Sequence, residues 1–134
     1  MCNLHIAGGG EPNVRVLVVD DEKSLACAMG EFLSGQGYAV TCAHLLDEAL
    51  RVANDEAFDA ALLDINLGEE SVYPLADYLV AHGTPVIFAT ARRKRDIPER
   101  FRADPLILKP YDVSTVLGEL RAAGLRASRP LPTP

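Results

Sequence analysis

The sequence has few cysteines, and the three that it contains are Cys2, Cys27 and Cys42. Their number is odd, and no two of them form a CxxC motif. This pattern argues against a disulfide framework and against a structural zinc site. The sequence therefore predicts reduced thiols, as is usual for a protein of the cytoplasm.

Long apolar runs and an excess of basic residues are also absent. No apolar segment approaches the ~20 residues that a membrane-spanning helix needs, and the first residues do not have the pattern of a signal peptide. Lys and Arg number 13 against 19 Asp and Glu, so the net charge is −6. An acidic balance argues against a nucleic-acid-binding surface, and the local basic run Arg92–Arg95 is interpreted as a solvated helix entry. The sequence thus predicts a cytoplasmic protein with neither a membrane nor a nucleic acid as its partner.

The chain of 134 residues has the length and composition of one globular domain, with 49% hydrophobic residues. Residues 1–13 include the glycines Gly8–Gly10, but no GK[ST] follows them, so a flexible leader is predicted rather than a phosphate-binding loop. The domain is predicted over residues 14–124. Residues 125–134 are rich in proline and are interpreted as a tail or the start of a linker.

Strand-like apolar runs alternate with helical periodicity five times, which is typical of βαβ units. Helix ends are predicted at the glycines of SGQGY, near Glu56 and at Gly83. A last helix is predicted to begin at about Val113, with Asp112 or Ser114 as its cap. Right-handed crossovers and burial of both faces then predict an α/β fold with a doubly wound parallel sheet. The predicted strands are Val14–Val19, Tyr38–Ala43, Asp59–Asp64, Pro85–Thr90 and Pro105–Lys109.

Polar side chains follow four of these five predicted strands. Asp20 and Asp21 come after the first strand, Asp64 ends the third, Thr90 the fourth and Lys109 the fifth. Ligands of such sheets bind beyond the carboxyl ends of the strands, so these residues are expected to lie close together. Three converging carboxylates need a compensating charge, and Mg²⁺ prefers such oxygen ligands and commonly bridges to phosphoryl oxygens. The sequence therefore predicts a magnesium site beside a phosphoryl-binding lysine and hydroxyl.

The motifs VLVVDDE, DAALLDINLG, VIFATA and LILKPYD carry a resemblance to a known family. Over about Val14 to Gly124 the chain resembles the receiver domain of two-component response regulators. The resemblance implies a flavodoxin-like sheet with strand order 2-1-3-4-5 and helices on both faces. It also implies that the chain is not a conventional enzyme, but one that phosphorylates and dephosphorylates itself on Asp64.

The same resemblance implies a role for each site residue. Asp64 corresponds to the aspartate that accepts a phosphoryl group from a phosphohistidine. Asp21 corresponds to a direct Mg²⁺ ligand, Asp20 assists through bound water, and Asn66 lends its backbone carbonyl to the metal. Thr90 corresponds to the hydroxyl that bonds the phosphoryl group, with the small Ala91 beside it, and Lys109 to the lysine that pairs with its oxygens. The Lys109–Pro110 bond resembles the cis peptide that aims this lysine.

The chain departs from the family pattern on the fifth strand, where Leu106 replaces an aromatic residue that many receivers use as a switch. A partial resemblance to the stand-alone FATGUY subgroup, which also lacks this aromatic residue, is carried by PVIFATA, IPERF and KPYD. Arg92 is interpreted either as a residue that overhangs the site or as a solvated arginine. Without a ring to move, residues 91–104 are predicted to be the mobile element that becomes ordered on phosphorylation.

The predicted function is a phosphoacceptor receiver domain of a phosphorelay. Its implied partners are a sensor histidine kinase or a histidine phosphotransfer protein and an unknown downstream protein, and a homodimer is left open. The alternative is a pseudo-receiver that acts as an interaction module without phosphorylation, although no acid, threonine or lysine of the motif is lost. A haloacid-dehalogenase-type phosphatase is disfavoured, because Asn66 stands where that class needs an acid.

Overall fold

The structure is a computed structural model that describes residues 14–90, 97–109 and 112–125. The predicted leader, the basic run Arg92–Arg95 with Ala91, Pro110 of the predicted cis peptide, and residues 126–134 of the predicted tail lie outside the described residues. Within the described ranges, none of the helices combines the length and apolar character that a membrane span requires.

Strands and helices alternate along the chain as the sequence predicts, with one addition, a short hairpin after the third strand. The elements are β1 (Arg15–Val19), α1 (Lys23–Gly35), β2 (Ala39–Ala43), α2 (Leu46–Asp55), β3 (Ala60–Asp64), β4 (Asn66–Leu67), β5 (Glu70–Ser71), α3 (Tyr73–Ala81), β6 (Val86–Thr90), a 3-10 helix (Glu99–Phe101), β7 (Leu106–Leu108) and α4 (Val113–Ala122). The fourth and fifth strands of the predicted sheet are therefore β6 and β7.

The main sheet has five parallel strands in the order β2-β1-β3-β6-β7. This confirms the predicted doubly wound, flavodoxin-like order. The order reverses next to β1, so the carboxyl ends of β1 and β3 lie side by side at the switch point, where such sheets bind ligands.

Helices cover both faces of the sheet, and each face has its own apolar core. On one face, α1 and α4 pack against alternate residues of the strands, such as Val16 and Val18. On the other, α2 and α3 pack against the intervening residues, such as Leu17 and Val19. Because both faces are covered, the strands read as nearly continuous apolar runs rather than as an alternating pattern.

The ends of two helices confirm predicted signals. Asp112 is extended and accepts a hydrogen bond from the Thr115 amide at 2.9 Å, so it is the N-cap of α4. Gly83 follows α3 with φ of +79°, a left-handed conformation that glycine adopts without steric cost. The predicted helix boundaries there are confirmed.

The segment before β7 is better packed than the sequence suggests. Ile97 and Phe101 are each 3% exposed and belong to the core beneath α3. The Phe101 ring stacks on Tyr73 at 5.5 Å and meets the Phe88 ring edge-on at 5.1 Å. The sequence predicts a short helix at about Pro98–Arg102, with Pro98 in its first turn, and this helix is present as the 3-10 helix. Residues 91–104 are also expected to be mobile because they have few apolar residues to bury, and that expectation of little burial is wrong for residues 97–104.

Cys42 follows the prediction of reduced thiols. It is a free thiol inside the core, and burial raises its pKa to about 11, so it is unreactive at neutral pH. The prediction is therefore confirmed for Cys42, and Cys2 lies outside the described residues.

Candidate functional site

Three acidic side chains meet at the carboxyl edge of the sheet. Asp20 follows β1 directly, Asp64 is the last residue of β3, and Asp21 begins the loop to α1. Each of them offers one carboxylate oxygen, and these oxygens all lie within 4.8 Å of one another. Asp20 is 2% exposed and Asp64 is 7% exposed, so two of the three carboxylates are withdrawn from solvent. The arrangement places like charges together where water screens them poorly.

Lys109 supplies a positive charge to this cluster. Its Nζ lies 3.1 Å from Asp20 Oδ2 and 3.1 Å from Asp64 Oδ2. The backbone holds the lysine in place, because the Lys109 amide donates to the Thr90 carbonyl at 2.8 Å and so extends the pairing of β6 with β7. One ammonium group thus bridges two carboxylates from different strands.

The proton affinities of the site follow from burial and charge. Burial raises the pKa of Asp64 to about 6, the negative charge of Asp20 acts in the same direction, and Lys109 opposes both. Burial alone would lower the pKa of Lys109, but the carboxylates of Asp20 and Asp64 outweigh it and the pKa is raised. Lys109 therefore stays charged at neutral pH, and Asp64 is mostly ionised there but can be protonated in mild acid.

Asp20 and Asp21 are held in different ways. Asp20 Oδ1 accepts a hydrogen bond from the Glu22 amide at 2.9 Å, which closes a tight turn before α1. Asp21 is exposed, and its Oδ2 accepts from the Gly68 amide at 2.9 Å. Gly68 lies between β4 and β5 with φ of +65°. The hairpin after β3 therefore fixes the outer carboxylate of the cluster.

The structure places the remaining predicted residues around these four side chains. Asn66 begins β4 beside Asp64, and its amide lies 3.4 Å from Asp64 Oδ1. Thr90 ends β6, is 1% exposed and shares a backbone hydrogen bond with Lys109. Leu106, which stands where many members of the resembled family have an aromatic residue, pairs with Phe88 in the sheet and is half-buried against the core.

Two residues at the site are not among the predicted ones. Gly68 donates its amide to Asp21, and His44 lies behind the acidic pair with its Nδ1 3.2 Å from the Asp20 carbonyl oxygen. A signal for His44 is present in the sequence. His44 follows β2 directly, and β2 is the one predicted strand from whose end no residue is assigned to the site.

Comparisons with known proteins identify the family. The family model of the response regulator receiver domain matches residues 16–121. The chain belongs to this family. Receiver domains of this kind are parts of bacterial two-component signalling systems, and both the fold and the acidic cluster agree with the assignment.

Curated relatives of this receiver domain are transcriptional regulators. It is 34% identical over 113 residues to the transcriptional regulatory protein DltR of Streptococcus agalactiae, covering 81% of this chain and 50% of DltR. It is 30% identical over 112 residues to the transcriptional regulatory protein CpxR of Escherichia coli, covering 81% of this chain and 48% of CpxR. The chain therefore spans about half the length of the curated relatives it matches.

Solved structures of similar shape include other response regulators. SdrG from Sphingomonas melonis is 32% identical with a TM-score of 0.70, over 81% of this chain and 94% of SdrG. A response regulator from Burkholderia pseudomallei, solved with a phosphorylated aspartic acid and a calcium ion, is 26% identical with a TM-score of 0.70, over 82% of this chain and 72% of that one. TrrA from Thermotoga maritima, solved in complex with Mg(2+)-BeF, is 25% identical with a TM-score of 0.71, over 81% and 96% of the two chains.

Proposed function

We propose that this receiver domain accepts a phosphoryl group on Asp64, with Mg²⁺ held by Asp20, Asp21, Asp64 and the backbone carbonyl of Asn66. The donor is a phosphohistidine of a sensor histidine kinase or of a histidine phosphotransfer protein. The observation that carries the proposal is the convergence of three carboxylates at the switch point of the sheet, two of which contact the ammonium group of Lys109.

The donor set fits the metal. Three carboxylates within 4.8 Å of one another form a hard, oxygen-only site, and Mg²⁺ usually binds one or two carboxylates together with water and phosphoryl oxygens. Lys109 neutralises only part of the negative charge of the three carboxylates, so the site still attracts a divalent cation. When bound, Mg²⁺ supplies Lewis-acid stabilisation of the phosphoryl oxygens.

The residues of the chain have complementary roles in the transfer. An Asp64 carboxylate oxygen attacks phosphorus, the bond from phosphorus to the donor nitrogen breaks, and the donor histidine leaves as imidazole and takes up a proton. Lys109 is placed to pair with a phosphoryl oxygen, and the Thr90 hydroxyl bonds another as the charge is transferred. Attack by water on phosphorus later returns Asp64 to a carboxylate and releases inorganic phosphate.

The output of this domain is proposed to be a change in a protein-binding surface. Leu106 replaces the aromatic residue, so ring rotation on β7 cannot signal, and the change must come through Thr90 and the segment that follows it. A protein partner rather than a nucleic acid suits the net charge of −6. A homodimer of phosphorylated chains is one form that this surface contact can take.

Phosphorylation by a small-molecule donor tests the proposal. Incubation with phosphoramidate and Mg²⁺ is expected to add the mass of one phosphoryl group to the intact protein. The Asp64→Asn variant should add none, whereas Asp55→Asn, an exposed acid at the end of α2, should react as the wild type does. Full reaction of Asp64→Asn would place the acceptor elsewhere, and no reaction of the wild type at any Mg²⁺ concentration would favour the pseudo-receiver.

A further inference from the structure

The buried histidine behind the acidic pair contacts the backbone of the site. His44 is 7% exposed, and its Nδ1 lies 3.2 Å from the carbonyl oxygen of Asp20. A carbonyl oxygen can only accept a hydrogen bond, so Nδ1 carries the proton and donates it. The backbone of His44 is itself held from α2, because Glu48 Oε1 accepts a hydrogen bond from the His44 amide at 2.9 Å.

The bonded carbonyl belongs to the peptide that joins Asp20 to Asp21. The amide of Asp20 donates to the Ala43 carbonyl at 3.1 Å, so both backbone polar groups of Asp20 are bound to the end of β2. These two hydrogen bonds hold the peptide planes on both sides of Asp20, so the backbone position of Asp21 is fixed as well. His44 therefore acts on the one carboxylate of the cluster that is exposed to solvent.

We infer that His44 is a positioning residue for the metal site of this domain. It holds the Asp20–Asp21 peptide so that two mutually repelling carboxylates face the same point before a cation arrives. The inference rests on the proposed function, because it concerns the Mg²⁺ affinity of that site. Groups that orient metal ligands without touching the metal typically change its affinity 10–100-fold when they are removed, by the general rule for such groups.

The test compares three substitutions of His44 with one control. His44→Leu removes the donor and keeps the bulk, His44→Asn keeps a donor near the position of Nδ1, and His44→Gln moves the donor farther along the side chain. The control is His82→Leu, because His82 also bonds a backbone carbonyl through Nδ1, that of Tyr78 at 2.8 Å, at an exposed position after α3.

Two quantities are measured for each variant. The first is the Mg²⁺ dissociation constant, from an NMR titration of backbone amides. The second is the rate of phosphorylation by phosphoramidate as a function of Mg²⁺ concentration. His44→Leu should bind Mg²⁺ roughly tenfold more weakly, yet it should reach nearly the wild-type rate when Mg²⁺ is saturating. His44→Asn should lie close to the wild type, and His82→Leu should match it.

A purely structural role would lower the melting temperature without changing the Mg²⁺ dissociation constant, and that result would overturn the inference. So would an equal loss of affinity in His44→Leu and His82→Leu. If His44→Leu does not fold, the comparison of His44→Gln with His44→Asn decides. Weaker Mg²⁺ binding by His44→Gln than by His44→Asn supports the inference, and equal Mg²⁺ binding by the two overturns it. A wild type that binds no Mg²⁺ would instead overturn the proposed function, and the inference with it.

Discussion

At the scale of single residues, the site is governed by an imbalance of charge. Three carboxylates lie close together, one ammonium group contacts two of them, and these two carboxylates are almost fully buried. The raised pKa of Asp64 is the direct expression of this imbalance, because the folded protein holds the Asp64 proton more tightly than the unfolded chain does. The site is thus built to gain from a cation, and without one it weakens the fold.

The pH dependence of stability follows from that shift. The Asp64 pKa is raised from 3.8 to about 6 on folding, so its contribution to stability is present below the unfolded pKa and is lost as the pH rises through about 6. In EDTA, the unfolding free energy of the wild type relative to Asp64→Asn should therefore fall between about pH 4 and about pH 7. Urea denaturation across this range measures it, with Asp55→Asn as the control. A difference that does not change with pH would contradict the electrostatics described above.

The acidic site could largely be predicted from the sequence, and the reason is geometric. In a parallel sheet, carboxyl ends of neighbouring strands share one edge, so Asp20, Asp64 and Lys109 had to meet once the strands were recognised. The roles of the residues that orient them could not be predicted in the same way. Gly68 acts through its backbone amide, which every residue except proline has, so its role has no motif in the sequence. His44 stands at a strand end, but it acts on a backbone carbonyl, and no residue type at that carbonyl indicates the contact.

At the scale of elements, the hairpin of β4 and β5 is the part of the fold that the sequence did not predict. Its strands have two residues each, too few to show an alternating pattern. The hairpin continues directly from Asp64, and its turn returns the Gly68 amide to Asp21. A very short element therefore links the predicted phosphoacceptor to a predicted metal ligand.

Substitution of Gly68, the glycine in the turn between β4 and β5, should distinguish an effect on stability from an effect on metal binding. Gly68 has φ of +65° and Gly83 has φ of +79°, and a Cβ at either position would meet no atom within 4 Å. Alanine at each site should therefore cost about 1 kcal/mol through backbone strain alone. We expect Gly68→Ala also to weaken Mg²⁺ binding several-fold, because the amide that holds Asp21 shifts, whereas Gly83→Ala should not. Equal Mg²⁺ affinities in the two variants, measured by titration, would show that the hairpin does not position Asp21.

The segment before β7 is the second part of the fold that differs from expectation, in its packing and not in its short helix. Phe101 lies between Tyr73 of α3 and Phe88 of β6, and so joins the segment before β7 to the core. The large apolar residues of this segment are only Ile97 and Phe101, but both are buried, so a count of apolar residues underestimates its packing.

The contribution of this ring can be measured directly. Phe101→Ala should lower the unfolding free energy by about 3–5 kcal/mol, the usual cost of removing a buried aromatic ring. Glu99→Ala is the matched control, because Glu99 is an exposed residue of the same 3-10 helix and its substitution should change the stability little. Chemical denaturation of both variants decides the matter, and a similar, small effect of the two would mean that the 3-10 helix does not stabilise the core.

At the scale of the whole molecule, the site and the fold depend on each other. β1 and β3 carry the acidic residues at their ends, and both lie in the middle of the sheet with a core on each face. A ligand that binds at these strand ends binds only the folded chain, because the carboxylates come together only when the sheet has formed. Metal binding is therefore coupled to global stability and not only to a local loop.

This coupling predicts a defined response to Mg²⁺. A single site that binds only the folded state raises the unfolding free energy by about 1.4 kcal/mol for each tenfold increase in free Mg²⁺ above the dissociation constant. Chemical denaturation at a series of Mg²⁺ concentrations measures this slope, with ionic strength held constant because a chain of net charge −6 also responds to salt in general. Asp21→Asn should reduce the response strongly, while Asp55→Asn should keep it. A slope twice as steep would require a second ion, and a flat line for the wild type would mean that the three carboxylates do not form a metal site.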